Sequence, residues 1–96
     1  MPLTEKQRKH LRRLAHQLKP VVLTGAAGIS PGVLSEIEEA LAYHELIKVR
    51  LNAEDRDARQ AMIETVVRET GGELVQRVGH IAVFYRRAEK PRITLP

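Results

Sequence analysis

Gly25-Ala26-Ala27-Gly28 stands where a chain could take hold of a phosphate. The run before it, Val21-Val22-Leu23-Thr24, is apolar and β-branched, and predicts a short strand buried on both faces. Ser30 and Pro31 after it have the types preferred at a helix N-cap and first helical position. Glycine has no Cβ, so it can adopt positive φ and let another backbone come close. The first amides of a helix lack partners within it, and the helix dipole favours negative charge beside them. A phosphodiester laid against residues 25–30 would therefore meet N–H groups and partial positive charge, with only small side chains at Ala26 and Ala27. The Lys-Ser/Thr ending of a nucleoside-triphosphate loop is missing, and so is the G-x-G-x-x-G fingerprint of a dinucleotide site. What remains is a loop suited to a nucleic-acid backbone, in the manner of KH domains.

Cations are placed to support that loop. The chain has 16 Lys and Arg against 12 Asp and Glu, a net charge of +4. Residues 1–35 hold six basic side chains against Glu5 alone, and residues 74–96 hold five against Glu89, while residues 36–57 are acidic. Lys6, Lys9, Arg12 and Arg13 line one predicted helix, and Lys19 follows it. Lys48 and Arg50 share one face of a predicted strand, and Arg86 and Arg87 end the last one. With Gly25, Ala26, Ala27, Gly28 and Ser30 these cations form the candidate RNA-binding set, since phosphate contacts position a protein on nucleic acid without reading its sequence.

Other chemistries find little to stand on. There is no cysteine, hence no disulfide, thiolate nucleophile or Cys-based metal site. His10 and His16 are six apart rather than at an i, i+4 spacing, and there is no H-E-x-x-H, so no zinc site is expected. His44-Glu45 falls at a helix-to-strand junction, where a capping or structural role is expected, and His80 falls in a hairpin turn. Ser30, Ser35 and the threonines show no base-and-orienter partners. One Phe, two Tyr and no Trp leave too few rings for recognition by base stacking. The reading is a binding protein, not an enzyme, with no cofactor and no small-molecule substrate. Neither a signal-peptide core nor a long apolar run occurs, so a cytoplasmic protein with no membrane contact is expected.

The elements that must position these residues follow from periodicity. Thr4 and Gln7 have capping-box spacing, and Leu11, Leu14, Ala15 and Leu18 recur at helical period until Lys19-Pro20 stops the helix. A second helix from Pro31 buries Val33, Leu34, Ile37, Ala40 and Leu41, and exposes Glu36, Glu38 and Glu39. Between Glu45 and Leu51, Ile47, Val49 and Leu51 share one strand face while Leu46, Lys48 and Arg50 share the other. A third helix, about Asp55 to Thr70, buries Ala58, Met62, Ile63, Val66 and Val67, and Gly71-Gly72 ends it. Strands over 73–78 and 81–86 flank Gly79-His80 as a hairpin, and residues 87–96 read as a flexible tail. The expectation is one α/β domain over residues 1–96, in the order αβαβαββ, with a four-stranded mixed sheet.

The stretch LRRLAHQLKPVVLTGAAGISPGVLSEIEEALAYHELIKVR, residues 11–50, resembles the YhbY-like family, whose CRM domain is named for chloroplast RNA splicing and ribosome maturation. The matching pieces are the LKPVV lead-in, the TG-x-x-G-I-S loop, the EI-x-x-AL helix, the HELIKVR strand and the closing GGELVQRVGHIAVFYR hairpin. The resemblance implies a fold similar to the C-terminal domain of translation initiation factor three. It also implies a monomer that binds ribosomal RNA in precursors of the large ribosomal subunit and assists ribosome assembly, its loop at residues 25–28 contacting RNA. Many members carry a lysine where this chain has Ala26, which removes one direct phosphate charge and leaves the amide mechanism. Two other readings stay open: DNA compaction by a similar fold, and a protein-interaction module that docks on ribosomal proteins or an assembly GTPase through the acidic second helix.

Overall fold

A capping box opens the first helix: Thr4 Oγ1 accepts from Gln7 N, and Gln7 Oε1 accepts from Thr4 N, each at 3.1 Å. This helix is α1, Glu5–Ala15, in a computed structural model that describes residues 2–25 and 27–96. The remaining elements are β1 (Val22–Leu23), α2 (Pro31–His44), β2 (Leu46–Arg50), α3 (Arg56–Thr70), β3 (Glu73–Val78) and β4 (Ile81–Tyr85). The αβαβαββ order and four-stranded mixed sheet are those expected. The strand order is β1-β2-β4-β3, with β1 parallel to β2 and β4 antiparallel to both its neighbours.

The order within the sheet was not evident from the succession of elements. β2 and β3 run in the same direction, joined through α3, yet β4 lies between them. Its sequence Ile-Ala-Val-Phe-Tyr explains the placement. Ala82 through Tyr85 are all buried, and a strand apolar on both sides belongs in the middle of a sheet covered on both faces. α2 and α3 cover one face, burying Val22, Ile47, Val49, Leu51, Ala82 and Phe84 with Ile37, Leu41, Ile63 and Val66. α1 lies on the other face, where Leu11 and Ala15 pack with Leu46, Val75, Val83 and Tyr85.

Three local expectations are corrected. α1 stops at Ala15 instead of reaching Lys19, because the chain must turn there to enter β1 at the sheet margin; Leu14 and Leu18 stay about two-fifths exposed. The run at 21–24 is a two-residue edge strand, not one buried on both faces, since β1 has a neighbour on one side only and Leu23 is 63% exposed. Ala58, in the first turn of α3, faces solvent.

The α2–β2 junction has no loop at all. Glu45 makes the turn alone with φ +66, the left-handed region that costs a non-glycine residue about 1–3 kcal/mol. Its fully buried carboxylate accepts from the amides of Ala88 (2.9 Å), Arg92 (2.6 Å) and Ile93 (2.9 Å). Residues 87–96 thus contain no helix or strand, but they are tied to the domain, with Ile93 and Leu95 packed on the α1 side of the sheet. Burial by itself would raise the Glu45 carboxyl; the amides of Ala88, Arg92 and Ile93 and the charge of Arg92 outweigh it and hold the group below its ordinary value. A carboxyl so lowered stabilises the fold fully at neutral pH, and that contribution fades as pH falls through the folded-state value. Glu45→Gln is expected to cost about 2 kcal/mol or more at neutral pH, and the gap from wild type should narrow below about pH 4, as read by denaturant unfolding at several pH values.

Candidate nucleic-acid interface

The G-x-x-G loop is held from below by one side-chain clasp. Thr24, 2% exposed, is bonded through its amide to Arg50 O at 3.0 Å, and its Oγ1 donates to the same carbonyl at 3.3 Å. Asn52 completes the clasp: its amide donates to Thr24 Oγ1 and its Nδ2 to Thr24 O, both at 2.8 Å. The start of the loop is thereby fixed to the end of β2 that carries Arg50. Gly28 has φ +71, with nothing within 4 Å of where a Cβ would stand, and Gly25 is equally open. Gly25 and Ala27 are exposed. Ala26 lies outside the described residues.

The supply of amides is smaller than the sequence suggests. Gly28 N donates to Gly25 O and Ser30 N to Gly28 O, both at 3.1 Å, so these two groups are spent inside the turn. At the head of α2, Ser30 Oγ accepts from Val33 N at 3.2 Å, Leu34 N donates to Ser30 O, and Pro31 has no N–H. The cap that starts the helix also consumes donors that a phosphate would use. An anion at this loop meets fewer free amides than the sequence suggests, and neighbouring cations supplement them.

Those neighbours come from α1 and β2. Because α1 covers the sheet face bearing Lys48 and Arg50, its own basic stripe is continuous with them. Arg12 and His16 line one hollow with Lys48, and Lys9 and Arg13 continue the surface along the helix. Arg50 pairs in register with Leu23, two residues before Gly25, and its Nε contacts Asn52 Oδ1 at 3.4 Å. Lys19 stands exposed on the connection whose Val21 N donates to Lys48 O at 2.9 Å. Among the described residues, salt bridges are formed only by Arg8 with Glu5, Arg68 with Glu69 and Arg86 with Glu38. Lys9, Arg12, Arg13, Lys19, Lys48 and Arg50 have no carboxylate within ion-pair distance. Glu36, Glu38 and Glu39 stand on α2, across the sheet.

Three expected members lie elsewhere. β4 is antiparallel to β2, so Arg86 and Arg87 emerge at the end of the sheet opposite the loop. Arg86 is also engaged, its Nη1 donating to Glu38 Oε2 and to Thr70 O, which ties β4 to α2 and α3. Arg87 borders the C-terminal segment beside Pro91 and Thr94. Lys6 is exposed in the first turn of α1, next to Gln7, whose side chain bonds Pro96 O. Sequence reasoning in turn missed Thr24 and Asn52, which are 28 residues apart and meet only in the parallel pairing of β1 with β2. It also gave no role to Arg59, whose Nη2 lies 3.5 Å from His80 Nδ1 near the hairpin turn. No group of three His, Asp or Glu among the described residues is placed to hold a metal, and no described helix is long and apolar enough to cross a membrane.

A family model, the CRS1/YhbY (CRM) domain, matches residues 3–86. The chain belongs to the CRM domain family. It is 50% identical over 94 residues to a Haemophilus influenzae protein named RNA-binding protein, covering 98% of this chain and 95% of that one. A Pseudomonas aeruginosa relative, named probable RNA-binding protein, is 41% identical over 95 residues, with 99% and 91% covered. The solution structure of a hypothetical Staphylococcus aureus protein, described as a candidate RNA binder, superimposes with a TM-score of 0.86 at 36% identity, covering 99% of this chain and all of that one. CRM domains are a family of RNA-binding domains, not of enzymes.

Thr24 and Asn52 act as one network in this CRM domain. Thr24→Val keeps the shape but leaves Asn52 N without its acceptor, and is expected to cost about 1–3 kcal/mol in denaturant unfolding. Asn52→Ala should cost a similar amount, and the double variant clearly less than the two losses added, the signature of a shared interaction.

Proposed function

We propose that this domain binds RNA through the surface formed by the G-x-x-G loop, the second half of α1 and the exposed end of β2. The observation that carries the reading is the segregation of charge. Lys9, Arg12, Arg13, Lys48 and Arg50 stand on the α1 side of the sheet, with Lys19 on the adjoining connection, and none has a counter-ion among the described residues. On the other side, α2 carries Glu36, Glu38 and Glu39 and no Lys or Arg. A polyanion approaching the α1 side meets attraction, and one approaching α2 meets repulsion. RNA is favoured over other polyanions by the family membership and by the names its relatives carry. Within this reading the RNA is ribosomal, in precursors of the large subunit, as the resemblance noted from the sequence implies, and the domain acts there as a monomeric cytoplasmic assembly factor.

Neutralising roughly four to six phosphates should make log affinity fall with log salt at a slope of about −3 to −5. Lys48→Ala and Arg50→Ala should each reduce that slope by about one, whereas Arg87→Ala should leave it unchanged. Gly25→Asp places a carboxylate on the loop where there is room for its Cβ and no positive φ to strain it, so the fold should persist while RNA affinity drops at least about tenfold. Binding that ignores salt, or tighter binding to duplex DNA than to ribosomal RNA in competition, would overturn the proposal. Sedimentation of a lysate should find the protein with large-subunit precursor particles.

A further inference from the structure

We propose that the hollow between the end of α1 and the β3–β4 hairpin holds one unpaired nucleobase; this rests on the RNA-binding reading and names what that surface takes besides phosphate. The hollow has a volume of about 240 Å³. Ala15, Val78, Ile81 and Val83 give it an apolar lining, and Arg12, His16, Lys48 and Gln76 a polar one. Val78 is 62% exposed at its edge. A phosphate gains nothing from a valine and an isoleucine, so an apolar lining among unpaired cations is not accounted for by backbone binding. The apolar, flat part of RNA is the base. The volume is below the range of about 300–1,000 Å³ usual for drug-sized ligands, which suits an occupant as small as a single base.

The way the hollow is built is the second argument. β3 has a register shift between Leu74 and Gln76: Leu74 pairs with Phe84, and Gln76 with the next residue, Val83. The bulge at Val75 puts Val75 and Gln76 on the same side, so Gln76 and Val78 face α1, and Arg77 turns to α3, where it bonds Gln60 at 3.1 Å. In a regular strand Gln76 and Val78 would point the other way. Bulges re-aim side chains in this manner beside binding sites. The Gln76 amide can donate and accept together, which matches a base edge, and the Arg12 guanidinium can lie flat on a ring. In a duplex each base is paired and stacked between its neighbours, so a base can enter the hollow only where it is unpaired.

The test compares two RNAs of equal phosphate number, a blunt duplex and a hairpin with an unpaired loop, by fluorescence anisotropy across a salt series. Wild-type protein should prefer the unpaired loop by about tenfold or more. Gln76→Leu should cut that preference to within about threefold while the salt slope stays put, because no phosphate contact is lost. Photocrosslinking from 4-thiouridine in the loop should attach to the β3 peptide in wild type. Salt-dependent binding with no preference, or a preference that Gln76→Leu leaves intact, overturns this proposal alone. Absence of binding to either RNA overturns the interface reading and this one with it.

Discussion

One amphipathic helix laid over half of one sheet face determines most of what this molecule can do. α1 has only two fully buried residues, Leu11 and Ala15, and together they cover the end of the sheet that carries Leu46, Val83 and Tyr85. Fully burying a leucine side chain contributes roughly 1.5–3 kcal/mol, so the attachment is modest and depends on help from the tail residues Ile93 and Leu95. The short contact has a second effect. The helix ends before it can cover Lys48, Gln76 and Val78, and the uncovered strip is where its own arginines and lysines join those of β2. A longer first helix would have buried that strip.

The loop after β1 is anchored at its start by Thr24, and part of its backbone is already bonded within the turn. Its backbone is committed at Thr24, Gly28 and Ser30, and the head of α2 is closed by a serine and a proline. What the loop contributes is shape: small residues, an open approach and a fixed position relative to Arg50. Side-chain cations around it add to the amides that stay free, and with Ala26 in the loop those cations come from α1 and β2.

Much of this could be read from the residues, and the reasons for the exceptions are physical. The caps at Thr4 and Ser30 form as their spacing predicts, because an N-cap is a local interaction over three residues. The alternation of Ile47, Val49 and Leu51 against Leu46, Lys48 and Arg50 holds for the same reason. Arg86 illustrates the opposite case. It looks like any terminal arginine in the sequence, and only the central position of β4 shows that it faces Glu38 and the end of α3. The bulge at Val75 and the Thr24–Asn52 clasp are likewise consequences of pairing between distant segments. The helix that seemed to extend to Leu18 followed its periodicity correctly, but periodicity does not say where the sheet runs out.

Glu45 has a bearing on how the molecule is made. It leaves the ribosome 43 residues ahead of Ala88, the first amide its carboxylate binds, and 48 ahead of Ile93. Throughout that interval every helix and strand of the domain can emerge, yet the sharp bend between α2 and β2 lacks the bonds that hold it. The segment that seats α1 is missing for the same period. The basic surface, which α1 and β2 make together, therefore reaches its final form only once the C-terminal segment has emerged. A nascent chain would meet the crowded surface of the translating ribosome with its RNA-attracting side still unfinished.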